Sequence, residues 1–319
     1  MKCPAKCVNR IMKDAQNEKQ SPFLVFFDSK QGGRSENQDF CIYKDTPLGM
    51  LVVVCDGMGG GPAGSIASKV SSEKIVDVIG QCSPGFDREK AFELAIDSAQ
   101  KVLLEMTDEE PELTGMGTTL VALLINEDSA FIAHIGDSRC YKIRSASKVF
   151  RTKDHSVVGE MVRNKTLTEE QARLSAQSNI ITRAIGSSAY KAEYDEVAYE
   201  KGDCFFLCTD GIWGAMPETE LIKRFSAKKN FEGLAERIAL YVDQLGEKSG
   251  GHHDNLTIAV VKTNINSKLK EKMNRKSKLI ILLLSIVCVI SLFTNIMLSC
   301  RSCDENVAEK KTEIAPVEK

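Results

Sequence analysis

The apolar run 51–55 (Leu-Val-Val-Val-Cys) ends abruptly on Asp56-Gly57-Met58-Gly59-Gly60-Gly61. Five consecutive apolar residues of this type read as a strand buried on both faces. A buried strand that delivers a carboxylate to its own end, followed by residues without a Cβ, suits a backbone that turns sharply beside a ligand or an ion. The Gly57 carbonyl could join Asp56 in holding a cation. Pro62 is placed for the first turn of a helix over 63–79. The segment 59–64, Gly-Gly-Gly-Pro-Ala-Gly with Asp77 further on, also fits the G-x-G-x-x-G form of a dinucleotide site. That form requires parallel βαβ units downstream.

The downstream pattern is different. Residues 23–27 and 40–43 read as strands either side of the polar turn 32–39, and the strand at 51 follows closely. Such spacing favours antiparallel pairing over crossover units. Apolar positions 91, 92, 95, 99, 102 and 103 make a helical stripe within 88–106. Strands follow at 120–125, 130–135 and 140–143, the last two joined by what reads as a hairpin turn, Gly136-Asp137-Ser138-Arg139. Residues 154–178 are polar, with a helix start at Thr168, and read as an excursion beside the sheet. Residues 203–208 form another apolar strand, ending on Thr209-Asp210-Gly211. An amphipathic helix carries Phe231, Leu234, Ile238, Tyr241, Val242 and Leu245, and Asp254-Asn255 opens a last strand at 256–261. Blocks of strands and blocks of helices predict an α+β sandwich of antiparallel sheets and exclude the doubly wound fold.

The formal charge of −2 gives no electrostatic case for nucleic acid. Eleven scattered cysteines, several inside apolar strands, argue for a reducing compartment rather than a disulfide framework. Cys300-x-x-Cys303 lacks a second pair for zinc. Residues 1–22 carry no signal-peptide core and read as a flexible arm. Residues 279–298 are 20 residues without a charge, about 30 Å as a helix, which is the thickness of a bilayer core. Lys268, Lys270, Lys272, Arg275, Lys276 and Lys278 precede them, whereas the tail 299–319 is mixed. The positive-inside rule therefore predicts a single-pass inner-membrane protein with its N-terminal domain in the cytoplasm. The expected domains are an arm (1–22), a folded domain (23–264), a basic linker (265–278), the membrane helix (279–298) and a polar tail (299–319).

Four aspartates share one local grammar. Asp56, Asp210 and Asp254 stand at strand ends, and Asp137 lies between two strands, each beside Gly, Ser or Asn. Singly, each is a turn-former. Together they would repel unless a cation sat among them, and all-oxygen ligands select Mg²⁺ or Mn²⁺. Two such ions can activate a water and clamp a phosphoryl group, with Arg34 as its bidentate partner.

The motifs Arg34-x-x-Asn37-Gln38-Asp39, 56–60 (Asp-Gly-Met-Gly-Gly), 117–119 (Gly-Thr-Thr), 136–139, 154–156 (Asp-His-Ser), 181–186, 209–211 and 254–257 occur in the order and spacing of the metal-dependent protein phosphatases. Over about residues 23–263 the chain resembles this PPM, or type 2C, serine/threonine phosphatase family, in its bacterial form. The resemblance implies a four-layer α-β-β-α sandwich of two antiparallel sheets flanked by helices. It implies Mg or Mn as cofactor, in two ions with a third as in many bacterial members. Asp56 would bridge the two catalytic metals, with the Gly57 carbonyl on one. Asp210 and Asp254 would complete the other, and Asp137 with Asp210 would hold the third. Arg34 would bind the substrate phosphate, and Asp39, Gln38 and Asn255 would stand behind the metal ligands. Gln38 replaces a Glu that binds metal in some relatives, and Met58 stands where animal enzymes have a His. Residues 156–179 match the family's flap. The implied partners are phosphorylated proteins, targets of a cognate serine/threonine kinase. The alternative is an inactive pseudophosphatase acting as a membrane-tethered phosphoprotein-binding module. His155 beside Asp154 could form an acid–base pair, but adjacent strand residues face opposite ways. His252 and His253 read as solvent-exposed loop residues, and Trp213 as a packing anchor near the site.

Overall fold

The computed structural model describes residues 21–145, 147–226 and 231–270. Two antiparallel sheets form its centre. The first runs β2 (Asp39–Thr46), β3 (Gly49–Met58), β5 (Leu120–Ile125), β6 (Ala130–Ile135), β9 (Glu193–Val197), with the short β4 (Gly117–Thr118) on the far end of β3. The second runs β1 (Phe23–Lys30), β11 (Leu256–Thr263), β10 (Cys204–Cys208), β7 (Arg139–Arg144), β8 (Ser147–Arg151). Both neighbours of β3 are antiparallel to it, so the glycine-rich segment opens no βαβ unit.

The apolar run at 51–55 is buried on both faces, and its two-residue period decides which layer each side chain joins. Leu51, Val53 and Cys55 pack against α1 (Ala63–Gly80) and α2 (Arg88–Glu109), touching the cluster of Ile75, Ile79 and Phe92. Val52 and Val54 point the other way and meet Phe205, Leu207, Ala259 and Val261 of the second sheet. That sheet turns Phe206, Cys208, Ile258 and Val260 outward, onto α6 (Glu218–Ser226) and α7 (Leu234–Lys248). Three apolar seams therefore hold four layers together. Each fully buried aliphatic or aromatic side chain contributes about 1.5–3 kcal/mol.

The helix starts follow local chemistry. The Asp87 side chain accepts the Lys90 N–H and caps α2. Thr168 and Gln171 form a reciprocal capping box at the start of α4 (Glu169–Arg173). With α3 (Val157–Arg163), α4 forms the excursion expected over 154–178. Phe231 lies before α7 and packs on its core cluster rather than opening the helix.

Two expected pairings are corrected. Residues 136–138 do not close a hairpin: β6 belongs to the first sheet and β7 to the second, so this segment carries the chain across the sandwich. Likewise β1 pairs with β11, not with β2, although β2 and β3 do form the expected hairpin. The reason is common to both: a short glycine-containing link serves a hairpin or a sheet-to-sheet crossing equally well, and the apolar seams select between them. The strands β8 and β9 and the helix α6 are further elements. The apolar stretch 279–298 lies outside the described residues.

Candidate active site

One edge of the sandwich gathers the predicted residues. Asp56 comes from β3 in the first sheet, Asp210 from the start of α5 (Asp210–Trp213) after β10, Asp254 from the loop before β11, and Asp137 from the crossing between sheets. All four line one cavity of about 460 Å³, together with Arg34, Gln38, Gly57 and Asn255. Strand β3 runs on past Asp56 to Met58, where β4 pairs with it, so Asp56 projects from within a strand. Gly57 packs so tightly on the start of α1 that a Cβ there would lie 2.0 Å from the Gly64 carbonyl oxygen. The sheet edge and the helix can meet only because that residue is glycine.

The carboxylates are close enough to disturb one another. Burial, then the charges of Asp39, Asp210, Asp137 and Asp254, push the Asp56 carboxyl well above the usual range. Burial and the neighbouring Asp210 and Asp154 do the same to Asp137. Asp210 is pushed up to about 6, by burial and then by Asp254. Asp39 sits directly opposite Asp56 across the β2–β3 ladder. Its burial raises it to about 7, against the hydrogen bonds of Thr257 and Thr209. One Asp39 oxygen accepts the Thr209 hydroxyl at 2.8 Å, while the other is buried without a partner. Such an arrangement is costly for bare protein and suits divalent cations bound by oxygen.

The surroundings fix these groups in place. The Asp56 carbonyl accepts the Thr119 N–H and the Thr118 hydroxyl, both at 2.9 Å. Asn255 accepts the Gln38 N–H and donates to the carbonyls of Gln31 and Glu36. It thereby anchors the Arg34 turn to the Asp254 loop. Arg34 makes a 2.8 Å ion pair with Asp254 and is otherwise exposed toward the cavity. The Gln38 amide donates to the Gly61 carbonyl at 2.8 Å, which commits its nitrogen to the glycine turn. Trp213, read as a packing anchor, also donates its indole N–H to the Asp137 carbonyl at 3.0 Å. Thr119 and Thr209 belong to quoted motifs, but the sequence assigned them no role. For Thr209 the signal is a hydroxyl residue beside an aspartate at a strand end, weak in isolation; Thr119 has no aspartate near it in the sequence.

Asp154 and His155 do not act as a pair. Asp154 takes a bidentate bond from buried Arg139 (2.9 and 2.6 Å), whose guanidinium lies 3.5 Å over the Trp213 ring. Burial would raise the Asp154 carboxyl, but Arg139 outweighs it and holds it below the usual value. His155 turns away, accepts the Gly136 N–H on Nδ1, and stacks on His134 at 4.9 Å. Burial, then the charges of His134 and Arg183, lower it to about 4. His134, His155 and Glu193 bring ligand-type atoms within 4.8 Å of one another. The two rings are tilted by only 15°, so an ion in the plane of one lies well off the plane of the other. The cluster is a brace between the sheet crossing and the flap. His252 is exposed as expected, but His253 is largely buried and hydrogen-bonded to Asp243. Its ring finds a seat on α7 that the loop composition did not signal.

Comparison with known proteins agrees with this geometry. The family model for protein phosphatase 2C matches residues 28–268. The serine/threonine phosphatase stp of Listeria monocytogenes serotype 4b is 31% identical over 242 residues, covering 74% of this chain and 90% of its own length. The S. agalactiae serine/threonine phosphatase structure superposes with a TM-score of 0.67 at 28% identity, over 76% of this chain and 99% of that one. The catalytic domain of the serine/threonine protein phosphatase PstP, solved with 2 manganese ions, gives a TM-score of 0.62 at 26% identity, over 75% and 97% of the two chains. The chain belongs to the protein phosphatase 2C family of metal-dependent serine/threonine phosphatases.

Proposed function

We propose that this chain hydrolyses phosphoserine and phosphothreonine in proteins at a binuclear Mg or Mn centre, and that it does so tethered to the membrane. The observation that carries the catalytic reading is the convergence of Asp56, Asp137, Asp210 and Asp254 on one cavity that Arg34 also borders. Asp56, with the Gly57 carbonyl beside it, would hold the catalytic ions, Asp210 and Asp254 would share in holding the second, and Asp137 with Asp210 would hold a third. Divalent ions bound there supply a water nucleophile at neutral pH and neutralise phosphoryl oxygens.

The remaining work belongs to the chain itself. Arg34 exchanges its contact with Asp254 for the substrate phosphate, a bidentate charge-assisted interaction that sets binding and orientation. Asp39, opposite Asp56 across the β2–β3 ladder and held by Thr209, keeps one buried oxygen without a partner and would help to orient water beside Asp56. Asn255 and Gln38 keep the Arg34 turn and the Asp254 loop in register. Asn179, at the end of the flap, and Ile181, just beyond it, form part of the cavity wall.

Membrane tethering is supported by the uncharged stretch 279–298 and its basic flank, with the catalytic domain on the cytoplasmic side. The partners are then phosphorylated substrates of a serine/threonine kinase at the same surface. The test is hydrolysis of a phosphothreonine peptide by the full-length chain in detergent, with Mn²⁺, Mg²⁺ or EDTA, beside Asp210→Asn. Turnover should require metal and collapse in the variant. Metal-independent turnover would refute the metal-centre reading, whereas no turnover from folded protein at any metal concentration would refute the catalytic reading and favour a phosphoprotein-binding module. Retention in the membrane fraction should be lost on removing residues 279–319.

A further inference from the structure

Helix α7 carries Gly246 inside its fifteen residues, where glycine is less favourable than alanine. A methyl at that position would lie 2.1 Å from Cγ of His253. The missing side chain makes room for the imidazole. One turn earlier on the same helix, Asp243 accepts the His253 Nε2–H at 2.8 Å. A carboxylate can only accept, so the proton sits on Nε2. The ring is 15% exposed and Asp243 24%, which shields this contact from solvent more than an ordinary surface pair.

The backbone of the same residue faces the opposite loop. The His253 carbonyl accepts the Gly33 N–H at 3.0 Å. Gly33 is so near that a Cβ there would lie 1.9 Å from the Gly251 oxygen. Arg34 follows Gly33 directly, and Asp254 follows His253 directly. These two are the ion pair at the cavity. Asn255 ties the two loops together on one side, and His253 ties them to the rigid helix on the other.

We propose that His253 is a positioning residue for Arg34: seated in the Gly246 gap and latched by Asp243, it fixes the loop whose carbonyl holds the Arg34 turn at the phosphate. This rests on the reading of Arg34 as the phosphate ligand. Loosening the latch lets the guanidinium wander, which weakens phosphate binding before it alters the chemistry.

The experiment uses the full-length enzyme in Mn²⁺ and measures kcat and KM for a phosphothreonine peptide, together with Ki for inorganic phosphate. His253→Ala should raise KM and the phosphate Ki about tenfold each, with kcat within about threefold of wild type. His253→Gln, whose amide can still donate to Asp243, should recover most of the loss. In an Arg34→Ala background the same His253→Ala change should alter either constant less than twofold. Should His253→Ala fail to fold, Asp243→Ala, at a partly exposed position, breaks the latch with the ring retained and carries the same expectation. A folded His253→Ala with wild-type KM and Ki would overturn the proposal, as would an equal loss in the Arg34→Ala background. An Arg34→Ala enzyme whose phosphate Ki equals that of wild type would instead remove the reading beneath it.

Discussion

Replacing Gly211 by alanine is the sharpest test of how rigidly the site is held. Gly211 follows Asp210 in α5, and its backbone lies against the start of β11. A Cβ built there would stand 2.0 Å from the Asn255 carbonyl oxygen and 3.1 Å from its carbon. No real methyl tolerates an oxygen closer than 3.0 Å, so the two segments must part by roughly 1 Å. Neither has slack. Asn255 is held by three hydrogen bonds to the Arg34 turn, of 2.7 to 2.9 Å, and Thr209 is joined to Thr257 through its backbone and its hydroxyl. The displacement therefore separates Asp210 from Asp254, whose ion distances have a tolerance of about 0.2 Å. A misplacement of about 1 Å costs on the order of 100-fold in rate, or about 2.7 kcal/mol. The assay is kcat/KM on a phosphothreonine peptide as Mn²⁺ is titrated. The concentration for half-maximal activity should rise together with the loss of rate. Gly60→Ala serves as control, since its Cβ would meet nothing within 4 Å and should leave both values near wild type. Gly211→Ala activity within threefold of wild type would refute the argument that backbone contact sets the metal distances.

Two further outcomes follow from the charges. The raised carboxyls of Asp39 (about 7), Asp210 (about 6), Asp56 and Asp137 mean that the metal-free native state binds more protons than the unfolded chain. Its stability therefore falls as pH rises above the usual carboxylate value toward 7, and the gain in Tm on adding Mn²⁺ should grow from pH 5.5 to 7.5; a constant gain would contradict the coupling. Asp154→Asn strips buried Arg139 of its carboxylate and should cost about 3–5 kcal/mol, read as a lower urea midpoint with unchanged slope, whereas a shift under 1 kcal/mol would place little weight on that pair.

Much of this was legible in the sequence because it is local. The doubly buried strand at 51–55, the turn glycines and the aspartates at strand ends each carry their own signal within a few residues. What was not legible is what distant segments decide. The link 136–139 reads as a hairpin because only a short, glycine-led segment separates two strands; the positive φ of 90° that Gly136 takes serves a crossing equally well. Only the seam between the sheets, where Cys140 faces inward with Phe205 and Leu207, sends β7 to the other sheet. The pairing of β1 with β11 spans the whole domain and leaves no local trace. His253 belongs to the same class. Its loop is composed like any exposed turn, and its seat exists only because a helix residue seven positions earlier lacks a side chain.

The crossings also explain why the site is where it is. A hairpin at 136–138 would have kept Asp137 at the edge of one sheet, far from carboxylates contributed by the other. Because the chain crosses there, Asp137 stands between the sheets, with Asp56 from the first and Asp210 and Asp254 from the second. Apolar side chains fill the rest of that seam, so the carboxylates meet at its mouth, where burial raises the proton affinity of Asp56, Asp137 and Asp210 and mutual repulsion opposes the packing behind them. The same apolar contacts that close the sandwich thus hold the acids closer than they would settle alone. Cations relieve that opposition only when the sandwich is closed, which ties ion binding to the integrity of the fold.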